Sequence, residues 1–279
     1  SLLNEFRITH TAVGQVIMTT HSPIAVAECT IGELLVVQSK NGITNLFQVK
    51  SDDAVANATM QAEIRKNAEA FLCKRLIVCE GKTEIGFIRA LDSYLAKTKN
   101  YRMAFKGVGT ADGGGSSIFK CTDILRMCGY DVCLLMDSDL PEEDEQKQDL
   151  SSKGVSVFDW DKSYALEEQV FFDVPTDAAS QILGIAVDEY GLDSVKSRLT
   201  AGSIPYEVVD EKICLSSMRP EDQWKIGTIA KRKKVEWYKR IDLGELLGNV
   251  VFENWEGIKP GTKLKTVVNA LARWVTGND

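Results

Sequence analysis

The chain has 279 residues, 44% of them hydrophobic and 26% charged, with 33 Lys and Arg against 40 Asp and Glu for a formal net charge of −7. That is apolar mass for a core and, at one domain per ~150 residues, about two domains; collagen-like, mucin-like and wholly disordered chains are excluded. The acidic balance excludes a nucleic acid or anionic membrane bound by the whole surface, and leaves room for one local basic face.

In chain order, Gln15–Thr20 (QVIMTT) predicts a buried strand that ends at His21-Ser22-Pro23. Glu33–Ser39 (ELLVVQS) and ITNLFQV from Ile43 flank an Asn41-Gly42 turn and predict a hairpin. Residues 51–70 are polar and alanine-rich, the composition of a connecting helix or linker. From Arg75 the pattern alternates strand and helix. RLIVCE is followed by a helix with Ile85, Ile88, Leu91 and Leu95 on one stripe. Met103–Gly109 (MAFKGVG) reads as the next strand, and Gly113 to Ser116 leads into a helix carrying Ile118, Cys121, Leu125 and Cys128. Val132–Asp139 (VCLLMDSD) and Val155–Trp160 (VSVFDW) complete four strands, with an acidic, mobile loop (PEEDEQKQDLSSKG) expected between them. Residues 176 to 200 read as helical, Lys231–Arg240 (KRKKVEWYKR) is a basic run, and the last helix aligns Leu264, Val267, Val268, Leu271, Trp274 and Val275. Strands alternating with helices predict an α/β fold, a parallel sheet with helices on both faces, whose sites form beyond the carboxyl ends of the strands.

No apolar run reaches the ~18 residues of a membrane helix, and no basic-then-apolar leader is seen, so a soluble chain is expected. Cys29, Cys73, Cys79, Cys121, Cys128, Cys133 and Cys214 are odd in number and contain no C-x-x-C pair. Most lie in apolar stretches, which predicts a reducing, cytoplasmic setting without structural zinc. His10 and His21 are the only histidines, so a metal here must be held by carboxylates, the ligands that magnesium and manganese prefer.

Carboxylates collect at the expected strand ends. Glu80 closes the first strand of the alternating region, Gly81 permits a tight turn, and Glu84 falls in the first turn of the next helix. Asp137 and Asp139 end another strand, two apart and on one face. If those strands are neighbours, four carboxylates meet at one sheet edge, an arrangement that demands protons or cations. Two divalent ions ~3.5–4 Å apart would neutralise it and clamp the two oxygens of a phosphodiester exchange. A single Glu at a strand end is ordinarily a surface group or a helix-dipole partner; the joint strand–E-G-x-x-E–helix and strand–D-x-D pattern is much rarer.

LIVCEGKTE and CLLMDSD resemble the two signatures of the Toprim fold, shared by topoisomerases, primases and some nucleases, and VIMTTHSP resembles the late strand and switch-histidine segment of ABC-type ATPases. An ATPase end followed by a Toprim domain resembles the OLD (overcoming lysogenization defect) family of ATP-powered nucleases. The resemblance covers Arg75 to Glu168 well and thins in the last third. It implies 1–50 as an ATPase remnant, 51–73 as linker, 74–172 as Toprim catalytic core, 173–225 as a helical or irregular insertion, and 226–279 as a basic segment with a closing helix. It implies metal-dependent DNA nicking and cleavage, two Mg²⁺ or Mn²⁺ ions held by Glu80, Glu84, Asp137 and Asp139, and a role in phage defence. Family members are sometimes paired with a helicase.

A further acidic family position corresponds to Glu167, with Glu168 competing, and a charge-stabilising family lysine corresponds to Lys239, with Lys82 and Lys234 as rivals. Glu80, Asp137 and Lys239 are thereby the expected catalytic residues. Lys231, Arg232, Lys233, Lys234 and Arg240, interleaved with Trp237 and Tyr238, read as a DNA track or as a solvated face with Trp237 in the core. Gly113 to Ser117 reads equally as a phosphate-binding turn or a plain connection. No G-x-x-x-x-G-K-[ST] is present, so ATP hydrolysis is not expected and His21 is inert. The expected activity is endonucleolytic. An RNA-directed nuclease and a non-catalytic DNA-binding or assembly module on the same scaffold are the alternatives; a topoisomerase would need a separate tyrosine module and a primase a zinc module.

Overall fold

A computed structural model describes residues 16–48, 54–216 and 218–277. His10, Gln15, Val49 and the first residues of the expected 51–73 linker lie outside the described residues. The elements in chain order begin with α1 (Pro23–Glu28), β1 (Leu35–Lys40), β2 (Ile43–Gln48) and α2 (Ala54–Lys66). An alternating region follows: β3 (Arg75–Cys79), α3 (Lys82–Lys99), β4 (Val108–Asp112), α4 (Ile118–Met127), β5 (Asp131–Met136), α5 (Asp144–Ser152), β6 (Ser156–Asp159) and α6 (Leu166–Asp173). The remainder is α7 (Thr176–Tyr190), α8 (Leu192–Ala201), β7 (Glu207–Val209), β8 (Lys212–Cys214), α9 (Pro220–Ala230), α10 (Ile241–Glu253) and α11 (Lys263–Thr276).

The fold is α/β, built on a four-stranded parallel sheet in the order β4-β3-β5-β6. Its central strands β3 and β5 are apolar runs because both faces are covered there. Ile77, Cys79, Cys133 and Leu135 enter one core with Ile88 and Leu91 of α3, whereas Leu76, Val78, Leu134 and Met136 enter the other with Ile118 and Leu125 of α4. From β3 the chain crosses by α3 to β4 on one side, and then returns by α4 to β5 on the other. β3 and β5 therefore flank the point where the strand order reverses, the place where α/β sheets form their sites.

Several expectations need correction. Val16–Thr20 is not a strand; among the described residues no strand runs beside it to complete a ladder. The strand expected at Met103 starts only at Val108, because Gly107 takes a positive φ of 71° and closes a short 3-10 turn over Ala104–Lys106. The acidic segment after β5 is a 3-10 turn followed by α5, which tucks Leu150 and Lys147 inward. With one apolar residue facing the core, it carries almost no periodic signal.

The hairpin forms as expected, with β1 and β2 antiparallel, and it packs Val36 and Phe47 on the same core as Leu76 and Leu134. Among the described residues no helix is long and apolar enough to cross a membrane.

Glycine sets the closest helix contact. A Cβ on Gly86 of α3 would collide with the Ile241 carbonyl, one on Gly244 of α10 with the Thr83 carbonyl, and one on Gly248 would sit 2.6 Å from the Ala90 methyl. α3 and α10 therefore cross with their backbones nearly touching, which holds the first turn of α3 rigidly. Gly86→Ala is expected to lower stability by ~1–3 kcal/mol through overpacking. Gly184→Ala, in α7 with open space around its Cβ, is expected to raise it by ~0.5–1 kcal/mol; urea midpoints at constant slope would read both.

Candidate metal centre

Parallel pairing brings the ends of β3 and β5 side by side, with Cys79 opposite Leu135 and the Glu80 N–H donating to the Leu135 carbonyl at 3.1 Å. Glu80 and Asp137 thus leave adjacent strands at the same edge. Glu80 Oε2 accepts the Asp137 N–H at 2.9 Å, and Asp137 Oδ1 accepts the Leu166 N–H of α6, also at 2.9 Å. Glu84, buried, turns back to accept the Gly81 N–H at 2.9 Å and caps α3. Glu167, buried in the first turn of α6, has its Oε1 3.4 Å from the Thr83 hydroxyl, which also lies 3.1 Å from the Tyr238 carbonyl. Two helices and two strands therefore bring these acids to one corner.

The electrostatics follow from that crowding. Burial, then Glu167 and Glu80, push the Glu84 carboxyl up to about 8. Asp137 is raised far above the usual carboxylate range by burial and by Glu84, Glu80, Glu167 and Asp139. Glu80 is raised chiefly by burial, against the Asp137 N–H, and Glu167 by burial, against its own backbone and Lys239. Carboxylates in this state hold protons or exchange them for a cation. The donor set is all oxygen, which fits a hard divalent ion. Among the described residues no three acidic, thiol or imidazole groups converge on one point, and Glu80, Glu84 and Asp137 each turn one oxygen to a backbone N–H. Those bonds fix orientation and leave lone pairs on every carboxylate.

The remaining expected residues separate into two groups. Asp139 pairs with Lys231 (3.3 Å), and Lys231 also pairs with Glu168 (2.7 Å). Burial opposes the Lys231 charge, but Glu168 and Asp139 outweigh it and raise its pKa. Of the two neighbouring glutamates, Glu167 thus adjoins the crowded acids, and Glu168 is saturated by Lys231, the Ala165 N–H (2.9 Å) and the Thr228 hydroxyl (2.8 Å).

Lys239 is exposed and bonded to Glu236 at 2.9 Å, yet its charge reaches Glu80, Glu84 and Glu167. Lys82, Arg232, Lys233 and Lys234 are exposed; Arg240 pairs with Asp242 and Glu189. Trp237 and Tyr238 are fully buried and anchor this basic run.

The glycine turn after β4 does not offer a phosphate cradle at its glycines. The Gly113, Gly114 and Gly115 N–H groups donate to the Cys79 carbonyl (2.7 Å), Asp112 Oδ1 (2.8 Å) and the Glu80 carbonyl (2.8 Å). The turn braces the end of β3 instead.

Two contributors escaped the sequence reading. Buried Lys147 of α5 reaches the Asp137 carbonyl (3.1 Å), Ser138 Oγ (3.2 Å) and Asp159 Oδ2 (3.3 Å), and so holds the M-D-S-D turn. Its only sequence signal is a lysine amid acids. Thr83, between Glu80 and Glu84, gave none.

Residues 71–139 match the family model described as "Overcoming lysogenization defect protein-like, TOPRIM domain". No curated protein matches the sequence. Solved structures similar to the chain include the C-terminal region of the Xanthomonas campestris pv. campestris OLD protein, at 14% identity and a TM-score of 0.41 over 75% of this chain and 99% of that one. The C-terminal region of the Burkholderia pseudomallei OLD protein has 11% identity and a TM-score of 0.40, over 73% and 98%. Likeness at that level adds nothing to the sheet topology described above.

The raised acids give a pH signature. The folded chain keeps protons that the unfolded chain releases from the ordinary range near 4.5 upward, so folding stability is present below that range and is lost as pH rises through about 8. In EDTA the melting temperature is expected to fall over that window, and Glu84→Gln to flatten the fall and raise the melting temperature at its upper end.

Proposed function

We propose that this chain, whose residues 71–139 form a Toprim domain of the OLD-like kind, is a divalent-metal-dependent nuclease that nicks or cleaves DNA phosphodiesters. The observation that carries the reading is the group of acids at the reversal point of the sheet, each raised by burial and by its neighbours. A non-catalytic binding module gains nothing from concentrating negative charge where a polyanion docks.

In this reading Glu80, Glu84, Asp137, Asp139 and Glu167 hold two ions, Mg²⁺ or Mn²⁺, which when bound supply Lewis-acid activation of water and neutralise charge on the phosphate. The Asp137 N–H, donating to the Glu80 carboxylate, orients that acidic edge. Lys239 exchanges Glu236 for the scissile phosphate and stabilises the charge that develops there. Arg232, Lys233, Lys234 and Arg240 bind the nucleic-acid backbone without reading bases. The five-part division at 50, 73, 172 and 225, with 1–50 as the remnant of an ATPase domain, a cytoplasmic setting, a phage-defence role and a helicase partner belong to the same proposal, the ATPase part resting on VIMTTHSP.

Supercoiled plasmid with Mg²⁺, Mn²⁺ or EDTA tests it. Metal-dependent nicking is expected, with Asp137→Ala reducing it at least ~100-fold and Lys239→Ala by ~10²–10³ in rate. Cutting of RNA alone would redirect the substrate, whereas DNA binding without cutting in any metal would favour the binding module. Replacing Arg232, Lys233 and Lys234 together by Ala is expected to weaken DNA binding evenly across sequences. The slope of log K against log salt should fall by up to about three, read by fluorescence anisotropy.

A further inference from the structure

The acids at the sheet edge are not all alike. Glu84 and Asp137 feel burial and the surrounding acids, and Glu80 and Glu167 feel burial against the charge of Lys239, but none of the four forms an ion pair among the described residues. Asp139 and Glu168 share a cation that the chain itself supplies, Lys231, with its Nζ 3.3 Å from Asp139 Oδ2 and 2.7 Å from Glu168 Oε2.

That cation is held by a built frame. Lys231 caps the C-terminal end of α9, where a positive charge is favoured, and its N–H donates to the Gly227 carbonyl at 3.0 Å. Gly227 has no side chain and sits against the Glu168 backbone, whose N would be 2.8 Å from any Cβ there. α9 and α6 are thereby in backbone contact, so the ammonium and the Glu168 carboxylate are fixed relative to each other. Glu168 spends both oxygens on this arrangement: Oε1 on the Thr228 hydroxyl, Oε2 on the Ala165 N–H and on Lys231. It has the environment of a holder for the lysine rather than of an ion ligand. Asp139, by contrast, bridges outward to Lys231 from the same D-x-D turn that carries Asp137.

We propose that Lys231 is a tethered counter-ion standing in the second cation position of the centre, so that a second divalent ion reaches Asp139 only by displacing it. The inference rests on the divalent-metal reading above. It assigns Lys231 to the interior of the site rather than to the exposed DNA track, and it makes the two ions unequal: one binds among Glu80, Glu84, Asp137 and Glu167, where no ammonium is in direct contact, and the other competes with an ammonium already in place.

The test is a Mn²⁺ titration counting bound ions from the electron paramagnetic resonance of free Mn²⁺. Lys231→Met alone would strand the buried Glu168 charge and is expected to lower the melting temperature. The charge-conserving pair Lys231→Met with Glu168→Gln therefore serves as the working variant, its fold checked by thermal melting. The wild-type chain is expected to bind one ion well and a second weakly, and the paired variant to bind the second roughly tenfold tighter. Adding Asp139→Asn to the paired variant should remove that gain. Superimposable isotherms for wild type and paired variant would overturn the role of Lys231 while leaving the metal reading intact. No Mn²⁺ bound by wild type, paired variant or Asp137→Ala would overturn both.

Discussion

Like charges do not crowd together in a protein interior unless a framework holds them there, and most of this framework does that work. Adjacent parallel strands deliver Glu80 and Asp137 to one edge, and two helix starts add Glu84 and Glu167. Each carboxylate is steered by a backbone N–H or a neighbouring hydroxyl, so its direction is set before any cation arrives. Burial and mutual repulsion then load the corner with protons that a hard cation can replace.

Holding such a corner costs folding energy that the packing must offset. The two glycine contacts show how. Gly86 against Gly244 brings α3 and α10 into backbone contact behind Thr83 and Glu84, and Gly227 does the same for α9 behind Glu167 and Glu168. Buried Trp237 and Tyr238, the latter donating its hydroxyl to the Ile182 carbonyl at 2.9 Å, pin the segment that carries Lys231 on one side and Lys239 on the other. Lys147 steadies the Asp137–Ser138 turn from the opposite face of the sheet. Specialised chemistry at the edge thus draws on rigid contacts on both sides of it.

The parallel sheet was legible because β3 and β5 are unbroken apolar runs that end in charge, and because the α3 and α11 stripes keep a clean helical period. The acids Glu80, Glu84, Asp137 and Asp139 could be named from strand-end and helix-start positions, whereas Glu167 came from the family resemblance, with Glu168 competing. What was hidden has physical causes. α5 has one core-facing apolar residue, Leu150, beside a buried Lys147 whose partners are distant in sequence, so its pattern looked like a solvated loop. Val16–Thr20 is apolar enough for a strand but has no strand beside it among the described residues. Lys231 sits in a basic run, and only the tertiary contact of α9 with α6 turns it inward. Hydrophobic period carries the fold, whereas pairing between remote charges leaves no trace in local sequence.

The central claim is that the acidic corner is a divalent-cation centre. Crystals of the chain grown with Mn²⁺ and measured at the manganese absorption edge test it directly. An anomalous peak is expected, bounded by oxygens of Asp137 and Glu80 with Glu84 or Glu167. A map with no peak at the ends of β3 and β5 at saturating Mn²⁺ would contradict it.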